Sequence, residues 1–194
     1  MTATKSIHCR LFPGKDGEKM RTTPNGVADQ DRLGGYFLYT LPDQLSDVLV
    51  LLSGLTMDAT KRPELVRQAL SHWMFEHIHP FHDGNGRIGR LLVSLVMSWK
   101  GATANACVFL GEGVRQNKEL YVEGLRGARS TGDFAPWTRT FLALAEQTNL
   151  GRLSKLASLL SHRQKATAKL RSHSLVHPLI PWALTHPKFT VKDA

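Results

Sequence analysis

Apolar positions along the chain fall mostly into helical stripes. Leu45, Val48, Leu49 and Leu52 sit at i, i+3, i+4 and i+7, the spacing of one helix face. Pro42 suits the first turn of that helix, which ends near Gly54. Val66, Ala69, Leu70, Trp73 and Met74 form a second stripe from Pro63 to about Ile78, with Thr60 or a neighbour as its cap and Pro80 as its stop. Arg87 to Trp99 is apolar nearly all round, which predicts a central helix closed by Gly101. Residues 113–129 predict a fourth helix with Tyr121 and Leu125 turned inward. Asp133 caps a fifth, with Pro136 in its first turn and Trp137, Phe141 and Leu144 on one side. A sixth, Leu150 to about Leu170, carries Leu153, Leu156 and Leu160. Alternation is weak before residue 35, where Gly, Asp and Lys predict loop. Tyr36 to Leu41 has the aromatic content of a short strand. The fold class is therefore all-α, with about six helices and a hairpin near residue 36.

Composition narrows the class without changing that picture. The chain has 194 residues, 42% hydrophobic and 21% charged, ordinary globular usage. No apolar run reaches the 18 residues of a membrane helix, and the first residues lack the apolar core of a secretory signal. The two cysteines, Cys9 and Cys107, make no disulfide framework and suit a reducing, cytoplasmic setting. The net charge of +9 is uneven. Residues 1–149 hold 17 Lys/Arg and 15 Asp/Glu, whereas residues 150–194 hold 8 Lys/Arg and only Asp193. This divides the chain into a body, residues 1–150, a basic helix, 151–174, and a proline-containing linker segment, 175–194. A basic tail suits nucleic acid, but no aromatics interleave its charges as a stacking surface needs.

The chemistry concentrates in His79-Pro-Phe-His-Asp-Gly-Asn-Gly-Arg-Ile-Gly-Arg90. Gly84 and Gly86 let backbone N–H groups approach a ligand, and the helix that begins there offers its N-terminus to an anion. Arg87 and Arg90, three apart, share a helix face, and guanidinium forks match phosphate oxygens. Asp83 is a hard oxygen ligand of the kind Mg²⁺ takes when it also holds phosphates. His79 is a base near neutral pH. Together these residues describe a nucleotide phosphate site. His77, His79 and His82 also read as a metal-hydrolase run, but the Asp expected at position 81 is Phe and the segment follows a helix rather than a strand.

The segment resembles the Fic family signature, His-Pro-Phe-x-x-Gly-Asn-Gly-Arg-x-x-Arg, at every specified position. Glu18 to Thr22 looks like the family's Phe-Arg stretch, Tyr36 to Pro42 falls at its substrate-aligning flap, and Leu120-Tyr121 and Gly132 to Trp137 look like its later helices. The resemblance covers residues 7 to about 150. It implies a helical domain of six to eight helices with a small hairpin flap, and transfer of AMP from ATP to a Ser, Thr or Tyr hydroxyl of a protein. In that reading His79 is the base and Asp83 holds Mg²⁺. Asn85 contacts the α-phosphate, Gly84 and Gly86 shape the anion hole, Arg87 and Arg90 hold the β- and γ-phosphates, and Phe81 anchors the loop. Tyr121 is assigned to adenine. The kinase-like branch carries Lys where Gly86 stands, and the phosphocholine branch Ala where Gly84 stands; neither change is present, which favours AMP.

The family's inhibitory segment, Ser/Thr-x-x-x-Glu-Gly/Asn, whose Glu pairs with the last arginine, has no match in this sequence. The chain is thus expected not to restrain itself that way. An antitoxin-like protein, self-association as a homodimer, or a segment upstream would supply restraint, and self-modification is expected without it. His186 to Ala194 looks like the opening of a winged-helix domain. The alternative function is a catalytically restrained Fic-like regulatory or nucleic-acid-binding module.

Overall fold

The computed structural model describes residues 20–29, 35–58, 62–103 and 108–169. Two strands, β1 (Gly26–Asp29) and β2 (Gly35–Leu38), precede a short 3-10 turn (Pro42–Gln44) and six helices. These are α1 (Leu45–Met57), α2 (Glu64–Ile78), α3 (Asn85–Trp99), α4 (Gly111–Gln116), α5 (Lys118–Thr131) and α6 (Ala135–Lys169). The expected all-α class with a small hairpin is thus observed.

The hairpin is antiparallel, with Gly26 opposite Leu38 and Asp29 opposite Gly35. Its first strand lies where the sequence predicts loop, because the turn residues around it outweigh a four-residue run. Phe37 turns inward, its ring against His77 and under the Arg129 guanidinium, 3.6 Å from the ring centroid. Such a cation–π contact contributes about 0.5–2 kcal/mol.

Two apolar clusters flank the α2–α3 pair. Leu45 and Leu52 of α1 meet Phe75, Ile78, Phe81 and Ile88 in one. Ala69, Val93 and Met97 meet Tyr121, Trp137, Phe141 and Leu144 in the other. Trp137 is fully buried and its indole N–H donates to the Ala69 carbonyl at 2.8 Å. Helix α3 is central as its sequence predicts, though Leu95 and Trp99 face outward.

The later helices depart from the predicted boundaries. The expected fourth helix is broken at Asn117, whose Nδ2 donates to the Gly113 carbonyl at 2.9 Å. The break lets Gly113 approach α6 so closely that a Cβ there would stand 2.5 Å from Thr148 Oγ1. The predicted fifth and sixth helices are one, α6, because Gly151 costs only about 1 kcal/mol within strong helix formers. Asp133 does serve the start of α6, accepting from the Ala135 N–H at 2.9 Å. The chain forms two compact units, Met1–Thr148 and Asn149–Ala194. The expected cap Thr60, the segment 175–194 and the winged-helix resemblance lie outside the described residues. No helix among the described residues is long and apolar enough to cross a membrane.

Candidate active site

The site begins where α2 ends. His79 occupies the left-handed C-cap position, φ 49°, with its N–H on the Phe75 carbonyl at 3.0 Å. A non-glycine residue rarely adopts this conformation. It aims the imidazole back over the last turn, where Nδ1 lies 3.1 Å from the Glu76 carbonyl. A carbonyl only accepts, so Nδ1 carries the hydrogen and Nε2 keeps its lone pair. Burial holds the His79 pKa below its ordinary value, and Arg21 adds to this against the opposing pull of the Glu76 carbonyl. The ring is therefore neutral near pH 7, as a general base must be.

Arg21 is the brace beneath this turn. It is almost wholly buried. Its Nε donates to the His79 carbonyl at 2.8 Å and its Nη2 to the Ile78 carbonyl at 3.2 Å. Further bonds reach the carbonyls of Thr23 and Thr40, and its own N–H donates to the Pro80 carbonyl at 2.9 Å. A cation is favoured on the carbonyls at a helix C-terminus. One side chain thus ties the entering segment, the end of the hairpin and the His79 turn together.

Phe81 and Asn85 lock the loop. Phe81 is buried among Ile78 and Ile88. The buried Asn85 side chain accepts from the Phe81 N–H at 2.9 Å and donates to the Phe81 carbonyl at 2.7 Å. This brace leaves one Asn85 amide hydrogen for other work. Gly84, φ 84°, is the N-cap of α3, and no side chain caps that end. The first N–H groups of the helix consequently have no intrahelical partner and face an anion position. Asp83 Oδ1 accepts from the Gly84 N–H at 2.6 Å. Its exposed Oδ2 lies 3.7 Å from Arg87 Nη2.

Behind the loop stands a buried polar group. A Cβ on Gly86 would sit 3.0 Å from Arg90 Nη1 and 3.8 Å from Glu76 Oε1. Glu76 Oε1 is 3.8 Å from His72 Nε2, which is 2.9 Å from the Tyr121 hydroxyl. Arg90 faces both Glu76 and Tyr121. Burial raises the Glu76 carboxyl to about 7, with Arg90 pulling the other way. It lowers His72 to about 3, helped by Arg90. An apolar cavity of about 470 Å³ adjoins this group through His72, Phe81 and Gly89, lined mainly by residues of α1 and α3 such as Leu49, Leu92 and Trp99.

These atoms have the register of a phosphate site: base, carboxylate, glycine-opened helix start and two guanidinium groups. The Fic/DOC family pattern matches residues 2–97. The chain belongs to the Fic/DOC family. A protein adenylyltransferase Fic of Culex quinquefasciatus is 34% identical over 165 residues, 80% of this chain and 29% of that protein. One from Nematostella vectensis is 34% identical over 93 residues, 46% of this chain and 20% of that protein. A Fic family protein of Desulfovibrio desulfuricans superposes with a TM-score of 0.66 at 26% identity, covering 78% of this chain and 46% of that one. The chain spans under a third of the curated relatives it matches.

Residues 79–90 of this signature form one turn and the start of α3, and Tyr121 lies outside it. Tyr121 does not offer a face to adenine. Its ring is buried between His72 and Trp137, and its hydroxyl belongs to the Arg90 group. The metal-hydrolase alternative also fails on geometry. His77 is stacked on Trp73, with centroids 3.9 Å apart, and Nδ1 is 2.8 Å from the Trp73 carbonyl. Burial lowers its pKa to about 4, and no group of three or more His, Cys, Asp or Glu among the described residues converges on a metal position. Sequence reading placed Arg21 in the family's Phe-Arg stretch and Tyr39 in its flap without giving either a role, and it missed His72 and Glu76 as site residues. Their signal is tertiary contact, not spacing.

Proposed function

We propose that the chain is a protein adenylyltransferase that moves AMP from ATP to a Ser, Thr or Tyr hydroxyl of a target protein and releases pyrophosphate. The observation that carries this reading is His79 at the left-handed C-cap of α2, its Nδ1 on the Glu76 carbonyl, in the same short loop that opens into the uncapped start of α3. His79 Nε2 takes the hydroxyl proton as the oxygen attacks the α-phosphorus, and the bond from that phosphorus to the bridging oxygen breaks. Backbone N–H groups at Asn85 and Gly86 meet the charge on the α-phosphate, while Arg87 and Arg90 hold the departing phosphates. In such transfers the protein mainly positions and neutralises.

One exposed carboxylate, Asp83, suits Mg²⁺ shared with phosphates and water rather than caged by protein. Bound there, Mg²⁺ supplies charge neutralisation on the phosphates. The relatives named protein adenylyltransferase support AMP as the transferred group. Self-modification, a homodimer and an antitoxin-like inhibitor are partners this reading admits. The test is incubation of the chain with Mg²⁺, a protein extract and ATP labelled at either the α- or the γ-position. Protein label from α-labelled ATP alone supports adenylyl transfer; label from γ-labelled ATP moves the activity to phosphoryl transfer.

A further inference from the structure

Glu76 is a buried carboxyl in the wall behind the phosphate loop. Its Oε1 is sealed from solvent and has no hydrogen-bond partner among the described residues. It lies 3.8 Å from His72 Nε2 and close to the same point beside Gly86 that Arg90 Nη1 approaches. The groups facing it are His72 on its own helix, Arg90 on α3, Tyr121 on α5 and Tyr39 after β2. Of these only Arg90 is a cation, since burial keeps His72 neutral. A buried carboxylate is costly without a nearby opposite charge, and the Arg90 guanidinium is the group here that favours the ionised form of Glu76 against burial.

Resting on the adenylyltransferase reading, we infer that Glu76 is coupled to Arg90 by charge: no hydrogen bond or ion pair joins them, yet both reach the same space beside Gly86, and the Glu76 carboxyl takes up a proton when a terminal phosphate claims that guanidinium. A phosphate on Arg90 adds negative charge next to Glu76 and withdraws the cation's charge from it. Both effects favour the neutral acid. The proton comes from solvent and rests on the Glu76 carboxyl; no bond in the nucleotide is altered. By linkage, a nucleotide that takes up a proton binds more weakly as pH rises. Burial already places Glu76 near pH 7, so the effect falls between pH 6 and pH 8. AMP, with no β- or γ-phosphate to reach Arg90, takes up no proton there.

The experiment is nucleotide binding by the full chain at pH 6, 7 and 8, with Mg²⁺, for wild type and Glu76→Gln. Glutamine keeps the shape and one carbonyl oxygen but does not titrate. ATP affinity of the wild type should fall by about three- to tenfold from pH 6 to pH 8 relative to the variant, while AMP affinity changes alike in both. In calorimetry at pH 7, in two buffers of different ionisation enthalpy, ATP binding to the wild type should show net proton uptake, and AMP none. That second measurement needs no variant and decides the matter if Glu76→Gln fails to fold. The same pH dependence in wild type and Glu76→Gln, or ATP binding without proton uptake, overturns the inference. Absence of ATP binding to the wild type at every pH would overturn instead the nucleotide reading on which it rests.

Discussion

The Tyr39 ring lies flat on the His79 imidazole, with centroids 4.0 Å apart and 3° between the planes. Tyr39 follows β2, and its N–H donates to the Asn25 carbonyl at 3.0 Å. The hairpin therefore covers one face of the base. With Nδ1 on the Glu76 carbonyl and the backbone on Arg21, the imidazole is fixed from three directions. A base held this way needs little reorganisation before it accepts a proton.

Removing that cover should slow transfer without weakening nucleotide binding. An aromatic pair contributes about 0.5–1.5 kcal/mol, up to roughly tenfold in rate. Tyr39→Ala is expected to label protein several-fold more slowly, and Tyr39→Phe to stay near wild type. Both should bind ATP as the wild type does. An unchanged rate in Tyr39→Ala would remove Tyr39 from the account.

The pH–rate profile should report His79. Its pKa is held below the ordinary histidine value by burial, so the neutral, proton-accepting form persists as pH falls through that value. Transfer should decline only on the acid side of the ordinary histidine range. A rate already halved above pH 7 and ascribable to a basic group would contradict the burial of this base.

Two glycines in helices should respond with opposite signs to alanine. At Gly54 an added Cβ meets nothing within 4 Å, and alanine should stabilise by about 0.4–1 kcal/mol. At Gly89 it would stand 2.7 Å from Glu76 Oε1 and 3.0 Å from Phe75 Cδ1. Gly89→Ala should destabilise by about 1–3 kcal/mol, and urea denaturation of the two variants measures both. Stabilisation by Gly89→Ala would mean that α2 and α3 are not packed this closely.

The loop was legible because its chemistry is contiguous: residues 79–90 carry base, carboxylate, glycines and arginines in one run. The α1 and α2 stripes were legible for the same reason, as local periodicity. What the sequence hid is non-local. Arg21 reaches carbonyls 57 and 58 residues away, and no spacing rule joins them. Tyr121 sits on an inward helix face, as expected, but its buried position gives it to Arg90 rather than to a ligand. Glu76 looks like an ordinary helix-surface acid until α3 is packed over it. The joining of the two predicted terminal helices into α6 turned on Gly151, whose weak helix propensity was not enough to end the segment.

Stability should fall on acidification in a window set by buried histidines. His77 and His72 are lowered from 6.5 to about 4 and about 3, so between pH 6.5 and pH 4 the unfolded chain binds more protons. Each then lowers stability by up to about 1.4 kcal/mol per pH unit as pH falls. Glu76, raised from 4.5 to about 7, acts in the opposite sense between those values, because there the folded chain holds the extra proton. Glu76→Gln removes that opposition. Its stability should therefore fall more steeply than the wild type's from pH 7 to pH 4.5. A shallower fall, followed by denaturant midpoints across that range, would contradict the ionisation states assigned to this group.

The most direct test of the central claim separates nucleotide binding from transfer at His79. Wild type and His79→Ala are compared for ATP affinity and for transfer of label from α-labelled ATP to protein in the presence of Mg²⁺. The account predicts that His79→Ala binds ATP within a few-fold of wild type, because the phosphate contacts lie on α3, and that it transfers no label. Equal labelling by the two proteins would show that the proton is taken elsewhere and would contradict the mechanism.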